Sequence, residues 1–246
     1  MRAETVVGWH AVLAVLKQAP ERVLSIRLDR ARKGPRSKQL LDAARTAGIA
    51  VEMTTGEALD REAGHANHQG VLAQCRAAAE RTEGELPGFL AGLPAPALLL
   101  VLDGVQDPHN LGACLRSADG AGVQAVILPK DNAAPITPVV RKVASGAAEA
   151  LPVFQVTNLA RALDELKEAG VWLVGAAGEA EQTVYDVDLR GPVALVLGAE
   201  GAGLRRLTRE KCDHLARIPM AGTVESLNVS VAAGIFLFEA VRQRRR

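Results

Sequence analysis

The chain has 246 residues, enough for one large or two modest domains, with a hydrophobic fraction of 48% and an aromatic fraction of only 3%. We therefore expect a core of Ala, Val and Leu, a composition that suits an α/β protein. The formal net charge of +1 excludes a polycation, and no apolar run approaches the ~18 residues of a membrane span.

The cysteines predict a reducing environment and no metal site. Cys75, Cys114 and Cys212 are far apart in the sequence and odd in number. They form neither a C-x-x-C pair nor a zinc-binding spacing. The opening residues, MRAETVVGWH, also lack the apolar core of a signal peptide. We therefore expect a cytoplasmic protein that binds neither a metal nor a membrane.

Residues 1–76 are predicted to form a small N-terminal α/β domain. Its predicted helices and strands alternate along the chain: helix Val6–Leu16, strand Val23–Leu28, helix Ser37–Ala47, strand Ile49–Met53, helix Thr54–Ala63 and strand Val71–Cys75. Residues 77–97 are rich in Ala, Gly, Pro and Glu and have a weak apolar pattern, which indicates a linker.

A dense basic cluster lies in the N-terminal domain, around a loop predicted at Gly34-Pro35. Its members are Arg27, Arg30, Arg32, Lys33, Arg36 and Lys38. Clusters of Lys and Arg on one face engage nucleic-acid phosphates, although a solvated surface loop has the same composition. Charge alone leaves both interpretations open.

Residues 98–246 are predicted to form a second domain with a mostly parallel sheet covered by helices. The run ALLLVL at 97–102 is typical of a strand buried on both faces. Further strands are predicted at 125–128, 153–156, 171–174 and 193–197, with helices at 110–121, 138–144, 159–169 and 203–211.

Three polar segments follow predicted strands of this domain. LDGVQDPHNLGACLR at 102–116 places Asn110 at a helix start and Arg116 more than one turn later. LVLGAEGAGL at 195–204 surrounds Glu200 with glycines, which allow close approach to the backbone. IPMAGTVESLNVSVAAGI at 218–235 enters a long apolar helix through Ser226-Leu227-Asn228. Loops of this kind at the carboxyl ends of strands are where open α/β sheets bind ligands.

Two other chemistries are weaker interpretations of these segments. His109 could act as a general base, but a single loop histidine is more often a polar turn residue. A nucleotide-dependent oxidoreductase would suit the α/β pattern, yet the chain has neither G-x-G-x-x-G after its first strand nor a Walker lysine.

The order and length of the three segments resemble the SpoU (TrmH-like) branch of the SPOUT RNA methyltransferases. These enzymes transfer a methyl group from S-adenosylmethionine to a ribose 2′-hydroxyl. The resemblance covers residues 98–246 as the catalytic domain. Residues 1–76, through GWHAVLAVL and HQGVLA, are similar to the RNA substrate-binding domain of RlmB-type members, which has a fold like that of a ribosomal RNA-binding protein.

The resemblance implies a site, a cofactor and an assembly. S-adenosylmethionine would bind against a C-terminal trefoil knot, largely through backbone groups of Gly198, Ile218 and Leu227, with Met220 and Gly201 nearby. Arg116 would activate the 2′-hydroxyl, and its geometry would be held by Asn110, Glu200, Ser226 and Asn228. The family acts as a homodimer. A guanidinium is a poor base because its pKa exceeds ~12. We therefore expect Arg116 to act with the substrate phosphate or by lowering the pKa of the hydroxyl.

The resemblance thus implies a 2′-O-methyltransferase for guanosine in 23S ribosomal RNA. A tRNA methyltransferase with the same chemistry is the nearest alternative, since Arg242, Arg244, Arg245 and Arg246 form a basic tail. An RNA-binding assembly factor that has lost catalysis is a third, although all five predicted catalytic residues are present.

Overall fold

The computed structural model of the chain describes residues 3–64, 67–76 and 81–245. The chain divides into two compact units: residues 1–79 with 145–150, and residues 80–144 with 151–246. None of the helices within the described ranges is both long and apolar enough to cross a membrane.

The first unit is built on a four-stranded sheet of order β1-β4-β2-β3. Only the β2–β3 pair is parallel. Along residues 3–76 its helices and strands are β1 Ala3–Val7, α1 Trp9–Gln18, β2 Val23–Asp29, α2 Pro35–Thr46, β3 Val51–Thr54, α3 Gly56–Ala63 and β4 Val71–Arg76.

The start of this unit differs from the prediction of a helix over Val6–Leu16. Val6 and Val7 belong to β1, where they pair with β4, and the helix begins at Trp9. An apolar run of this length suits a buried helix or a strand equally well. Pairing with a strand more than 60 residues away decides between them, and local sequence does not report that pairing. The predicted loop at Gly34-Pro35 is also shorter than expected, because α2 begins at Pro35.

The second unit is built on an eight-stranded parallel sheet of order β10-β12-β9-β11-β6-β7-β8-β5. Its strands are β5 Arg81–Thr82, β6 Leu98–Asp103, β7 Ala125–Pro129, β8 Val153–Val156, β9 Trp172–Ala176, β10 Gln182–Thr183, β11 Val193–Gly198 and β12 His214–Arg217. Its helices are α4 Leu86–Ala91, α5 Pro108–Gly120, α6 Pro138–Ala144, α8 Leu159–Glu168, α9 Arg206–Lys211 and α10 Val229–Arg244, while α7 Ala147–Ala150 lies in the segment grouped with the first unit.

The prediction of a linker at 77–97 is wrong for its described residues, which are folded into the second unit. Arg81 and Thr82 extend the sheet by pairing with β8. Leu86 and Leu90 are buried in the same apolar core as Phe154. Two Leu side chains four residues apart form the buried face of α4. The segment is too short, and too rich in Gly and Pro, for its periodicity to be visible in the sequence.

The carboxyl edge of the parallel sheet places the three polar segments at one side of the second unit. β6 is buried along its whole length, as its apolar run predicts. Gly198 at the end of β11 is in register with Asp103 at the end of β6. Parallel strands end at the same edge, so the loops after β6, β11 and β12 all emerge there.

Candidate active site

The loop after β6 enters α5 through a capped start. Asp107 is the N-cap, and its carboxylate accepts a hydrogen bond from the backbone N–H of His109 at 2.8 Å. The helix then buries Asn110 and leaves Arg116 exposed. A Cβ on Gly112 would lie 2.7 Å from Cβ of Val143 in α6. The glycine therefore lets α6 pack closely against α5.

The loop after β11 folds back over the end of its own strand. A Cβ on Gly198 would lie 2.0 Å from the carbonyl carbon of Gly203, so no side chain fits at position 198. Ala199 and Gly203 exchange two backbone hydrogen bonds of 3.1 and 2.9 Å. Gly201 and Gly203 have φ of 77° and 68°, which glycine adopts without strain. The result is a tight loop that carries Glu200 near its tip.

The loop after β12 spans residues 218–228 and has no regular secondary structure. Within the described part of the chain, no hydrogen bond involves the backbone or side chains of residues 218–227. Ile218, Met220 and Leu227 are half-buried. The loop therefore presents backbone N–H and C=O groups that have no partner among the described residues.

A chain of hydrogen bonds joins the three loops. The amide nitrogen of Asn110 donates to Oε2 of Glu200 at 3.1 Å, and its amide oxygen accepts from the amide nitrogen of Asn228 at 2.9 Å. The oxygen of Asn228 in turn accepts from the backbone N–H and hydroxyl of Ser230, at 2.9 and 2.6 Å. Asn228 is thereby also the N-cap of α10.

Two predicted members of the catalytic set stand outside this chain. Arg116 is exposed and makes no hydrogen bond or ion pair with any described residue. Glu200 is exposed at its loop and accepts a hydrogen bond from the Asn110 amide, not from Arg116. Ser226 is exposed and has no hydrogen-bond partner among the described residues.

The sequence interpretation missed an ion pair at the base of the site. The carboxylate of Asp103 is fully buried, and it accepts from the backbone N–H of Arg205 at 3.0 Å and from its Nε at 2.5 Å. The signal was an acidic residue ending an otherwise apolar strand. A buried carboxylate needs a partner, but the sequence does not indicate which of the many arginines supplies it.

The basic cluster of the first unit divides into two groups. Arg27 forms ion pairs with Glu62 at 2.5 Å and Glu52 at 3.1 Å, and the hydrogen bond with Glu62 raises the pKa of its guanidinium. Nε of Arg30 donates to the carbonyl of Thr54. These contacts occupy Arg27 with local carboxylates, contrary to its predicted place in a phosphate-binding surface.

The other group is exposed and unpaired. Within the described ranges, no hydrogen bond or ion pair involves these four cationic side chains, which flank or begin α2: Arg32, Lys33, Arg36 and Lys38. Four of the six cations in the sequence cluster thus remain available for the predicted basic surface.

The cysteines and acidic residues do not supply an alternative chemistry in the described ranges. Burial raises the pKa of the thiols of Cys114 and Cys212 to about 12, so neither supplies a thiolate near neutral pH. No group of three or more His, Cys, Asp or Glu side chains is arranged to hold a metal ion within residues 3–64, 67–76 and 81–245.

Comparison with known families decides between the α/β chemistries. The family model described as SpoU rRNA methylase matches residues 97–238, which include all three loops of the site. The chain belongs to the SpoU rRNA methylase family. A second model, described as RNA 2′-O ribose methyltransferase substrate binding, matches residues 5–81.

Curated relatives match the chain over nearly its whole length. The 23S rRNA (guanosine-2′-O-)-methyltransferase RlmB of Shewanella oneidensis is 54% identical over 99% of both chains. The protein of the same name from Escherichia coli K12 is 51% identical over 98% of this chain and 99% of its own.

Solved structures of family members share the fold. The SpoU methyltransferase AviRb from Streptomyces viridochromogenes, in complex with AdoMet, superimposes with a TM-score of 0.78 at 27% identity, over 98% of this chain and 90% of its own. A TrmH/SpoU tRNA modifying enzyme from A. aeolicus gives a TM-score of 0.55 at 31% identity, over 65% of this chain and 81% of its own.

The hydrogen-bond chain predicts a pH-dependent defect in Asn110→Asp. The variant loses the amide donor and places a carboxylate beside Glu200, so we expect its free energy of unfolding at pH 7 to fall by about 1–3 kcal/mol. The neighbouring charge raises the folded-state pKa of the new carboxyl above its unfolded value of ~3.9. Protonation of the new carboxyl therefore stabilises the folded variant fully below pH ~3.9. This stabilisation is lost as the pH rises through the raised pKa.

Chemical denaturation at several pH values measures this difference. Asn132→Asp, the same change at an exposed loop position, is the control and is expected to shift stability by less than about 0.5 kcal/mol. An Asn110→Asp deficit that is the same at pH 4 and pH 7 would contradict the assigned contact with Glu200.

Proposed function

We propose that this protein transfers the methyl group of S-adenosylmethionine to the 2′-hydroxyl of a guanosine in 23S ribosomal RNA. The observation that carries the proposal is the Asn110 amide. It joins the loops after β6, β11 and β12 into one structure, beside a backbone at 218–227 that makes no hydrogen bond to any described residue. The names of the full-length relatives support the same reaction and target.

The residues present fit the cofactor. Gly198 has no space for a side chain because the Gly203 backbone lies against it, so the loop stays close to the end of the sheet. Ile218, Met220 and Leu227 supply half-buried apolar contacts, while their backbone groups have no partner in the described chain. Such a surface suits an adenosine that is recognised through hydrogen bonds to main-chain atoms. When bound, S-adenosylmethionine supplies an electrophilic methyl group.

The chain's own residues orient the ribose and handle its proton. Arg116 is exposed on α5 and has no partner among described residues, so its charge is available to substrate. A guanidinium binds phosphate in a bidentate manner and stabilises a developing alkoxide electrostatically. Asn110 and Asn228 fix the neighbouring loops, and Glu200 is the carboxylate that the Asn110 amide orients. Alignment of this kind is worth several kcal/mol of the barrier.

Two observations favour ribosomal RNA over tRNA. The structural similarity to the A. aeolicus tRNA enzyme covers only 65% of this chain. This chain also has an N-terminal region, residues 5–81, that matches the substrate-binding model. The basic tail is also partly occupied. Arg242 pairs with Glu239 at 2.8 Å, and Arg244 donates to the backbone carbonyls of Leu189 and Gly191. These two arginines therefore serve the fold of the second unit.

We further infer a homodimer formed through α10. Val231 and Phe238 lie seven residues apart on this helix and are 51% and 49% exposed. Phe238 lies beside α5, the helix that carries Arg116, since a Cβ on Gly120 would be 3.8 Å from its ring. A second copy packed here would bury the apolar pair and lie beside the site. The trefoil knot implied by the family belongs to the same C-terminal region.

Methyl transfer from labelled S-adenosylmethionine tests the reaction. The substrates are 23S ribosomal RNA without 2′-O-methylation and bulk tRNA, with the modified nucleotide mapped. We expect a 2′-O-methylguanosine in 23S RNA. Label on tRNA alone would retain the chemistry and overturn the target. Cofactor binding without label on either RNA would favour a non-catalytic assembly factor.

In the same assay, Arg116→Ala is expected to lower kcat by at least about 100-fold, because the positive charge that stabilises the reacting oxygen is removed. Binding of S-adenosylhomocysteine, measured by calorimetry, should remain near that of the wild type. Arg206→Ala, an exposed arginine paired with Glu210 on α9, is the matched control. Lost cofactor binding in Arg116→Ala would assign it a structural role.

The unpaired cations of the first unit are expected to bind RNA phosphates. Replacing Arg32, Lys33 and Arg36 by Gln should weaken RNA binding and reduce the slope of log K against log salt by roughly 0.7–0.9 per lost contact. A control triple variant, Lys17→Gln, Arg45→Gln and Arg61→Gln, removes the same charge from exposed ends of α1, α2 and α3. Equal salt slopes in the two triple variants would identify the cluster as ordinary surface.

Phe238→Glu is expected to convert the dimer to a monomer, since burying an unpaired carboxylate in an apolar interface is unfavourable. Light scattering coupled to size-exclusion chromatography measures the mass. Leu207→Glu, at a similarly exposed leucine of α9, should leave the dimer intact. A wild-type monomer, or a Phe238→Glu dimer, would refute this interface.

A further inference from the structure

The ion pair between Asp103 and Arg205 joins the end of β6 to the end of the loop that follows β11. Asp103 ends β6, and its side chain is 0% exposed, whereas that of Arg205 is 51% exposed. Three groups of Arg205 converge on the carboxylate: the backbone N–H, Nε and Nη2. A carboxylate that accepts hydrogen bonds from a backbone N–H and from Nε, with Nη2 in ion-pair contact, has both its position and its orientation fixed.

The pair fixes the far end of the loop that carries Glu200. The near end leaves β11 at Gly198, in register with Asp103. The far end returns at Arg205 to the same Asp103. Between them, Glu200 is held by Asn110, which follows Asp103 along the chain. The loop is therefore tied at three points to one segment, β6 with the start of α5.

Stability alone does not require an ion pair at this place. A buried ion pair is often no more stabilising than well-packed apolar side chains of similar volume, although removing only one partner is strongly destabilising. What apolar packing does not provide is directional attachment of the Arg205 backbone to the end of β6. A site held to within ~0.5 Å needs such attachment in its supporting residues.

We propose that Asp103 and Arg205 are positioning residues that hold the 199–205 loop in the geometry required for cofactor binding and methyl transfer. This inference rests on the proposed function and adds two residues to its machinery. The role assigned to them needs no contact with the substrate. They act through the backbone of the loop and through Glu200.

The test separates positioning from stability. Arg205→Met leaves the buried Asp103 carboxylate without its charged partner and with only the backbone N–H of residue 205, so we expect a lower Tm. Asp103→Leu combined with Arg205→Met removes both charges and is expected to recover most of that Tm. The double variant should nevertheless have a kcat/KM for S-adenosylmethionine reduced by about 10–100-fold, as expected for a displaced catalytic loop. Its affinity for 23S RNA should be unchanged.

Arg205→Lys provides a second measurement if Arg205→Met does not fold. It retains the charge and the backbone N–H but loses the Nε and Nη2 contacts, and we expect a smaller fall in kcat/KM than in the double variant. Arg206→Met, the adjacent exposed arginine, is the control and should match wild type in Tm and kinetics. Recovery of both Tm and kcat/KM in the double variant would overturn the proposal. If wild type methylated no RNA and bound no S-adenosylhomocysteine, the proposed function itself would fail.

Discussion

The site depends on one buried amide. Asn110 uses its donor for Glu200 and its acceptor for Asn228, and these partners lie on loops that follow two other strands. Because the donor and acceptor of an amide differ chemically, only one orientation of the side chain satisfies both contacts. The orientation of Asn228 follows from this, since its remaining oxygen caps α10 through Ser230. A change at Asn110 therefore reaches the start of the C-terminal helix.

The parallel sheet explains why Asn110 can meet Glu200 and Asn228, which lie 90 and 118 residues further along the chain. Parallel strands deliver the loops after β6 and β11 to the same edge, at the register position shared by Asp103 and Gly198. Gly198 keeps the second loop close to the strand, and the ion pair with Arg205 returns it to β6. The loop at 218–227 stays irregular, and its backbone groups make no hydrogen bond within the described part of the chain. The strands thus fix where the loops lie, and the irregular loop is the part proposed to bind the cofactor.

Local pattern predicted the buried strands and long helices well, because continuous apolar runs and 3.6-residue periodicity are local signals. β1 and the 81–91 segment were missed, since each is defined by packing or pairing against distant strands. In the site, the order of motifs indicated Asn110, Glu200 and Asn228, which the structure brings together. The pairing of Asp103 with Arg205, and the neutralisation of Arg27 by Glu52 and Glu62, join residues whose relation only the folded chain reveals.

We propose that the loops after β6, β11 and β12 form one cofactor-binding site beside Arg116. A crystal structure of the protein with S-adenosylhomocysteine would show where the ligand lies. We expect the ligand to hydrogen-bond to the backbone of residues 218–227 and to lie against Gly198, with its sulfur on the side facing Arg116, while the Asn110 contacts to Glu200 and Asn228 remain. Ligand bound away from these loops, or a site in which Asn110 has released both partners, would contradict it.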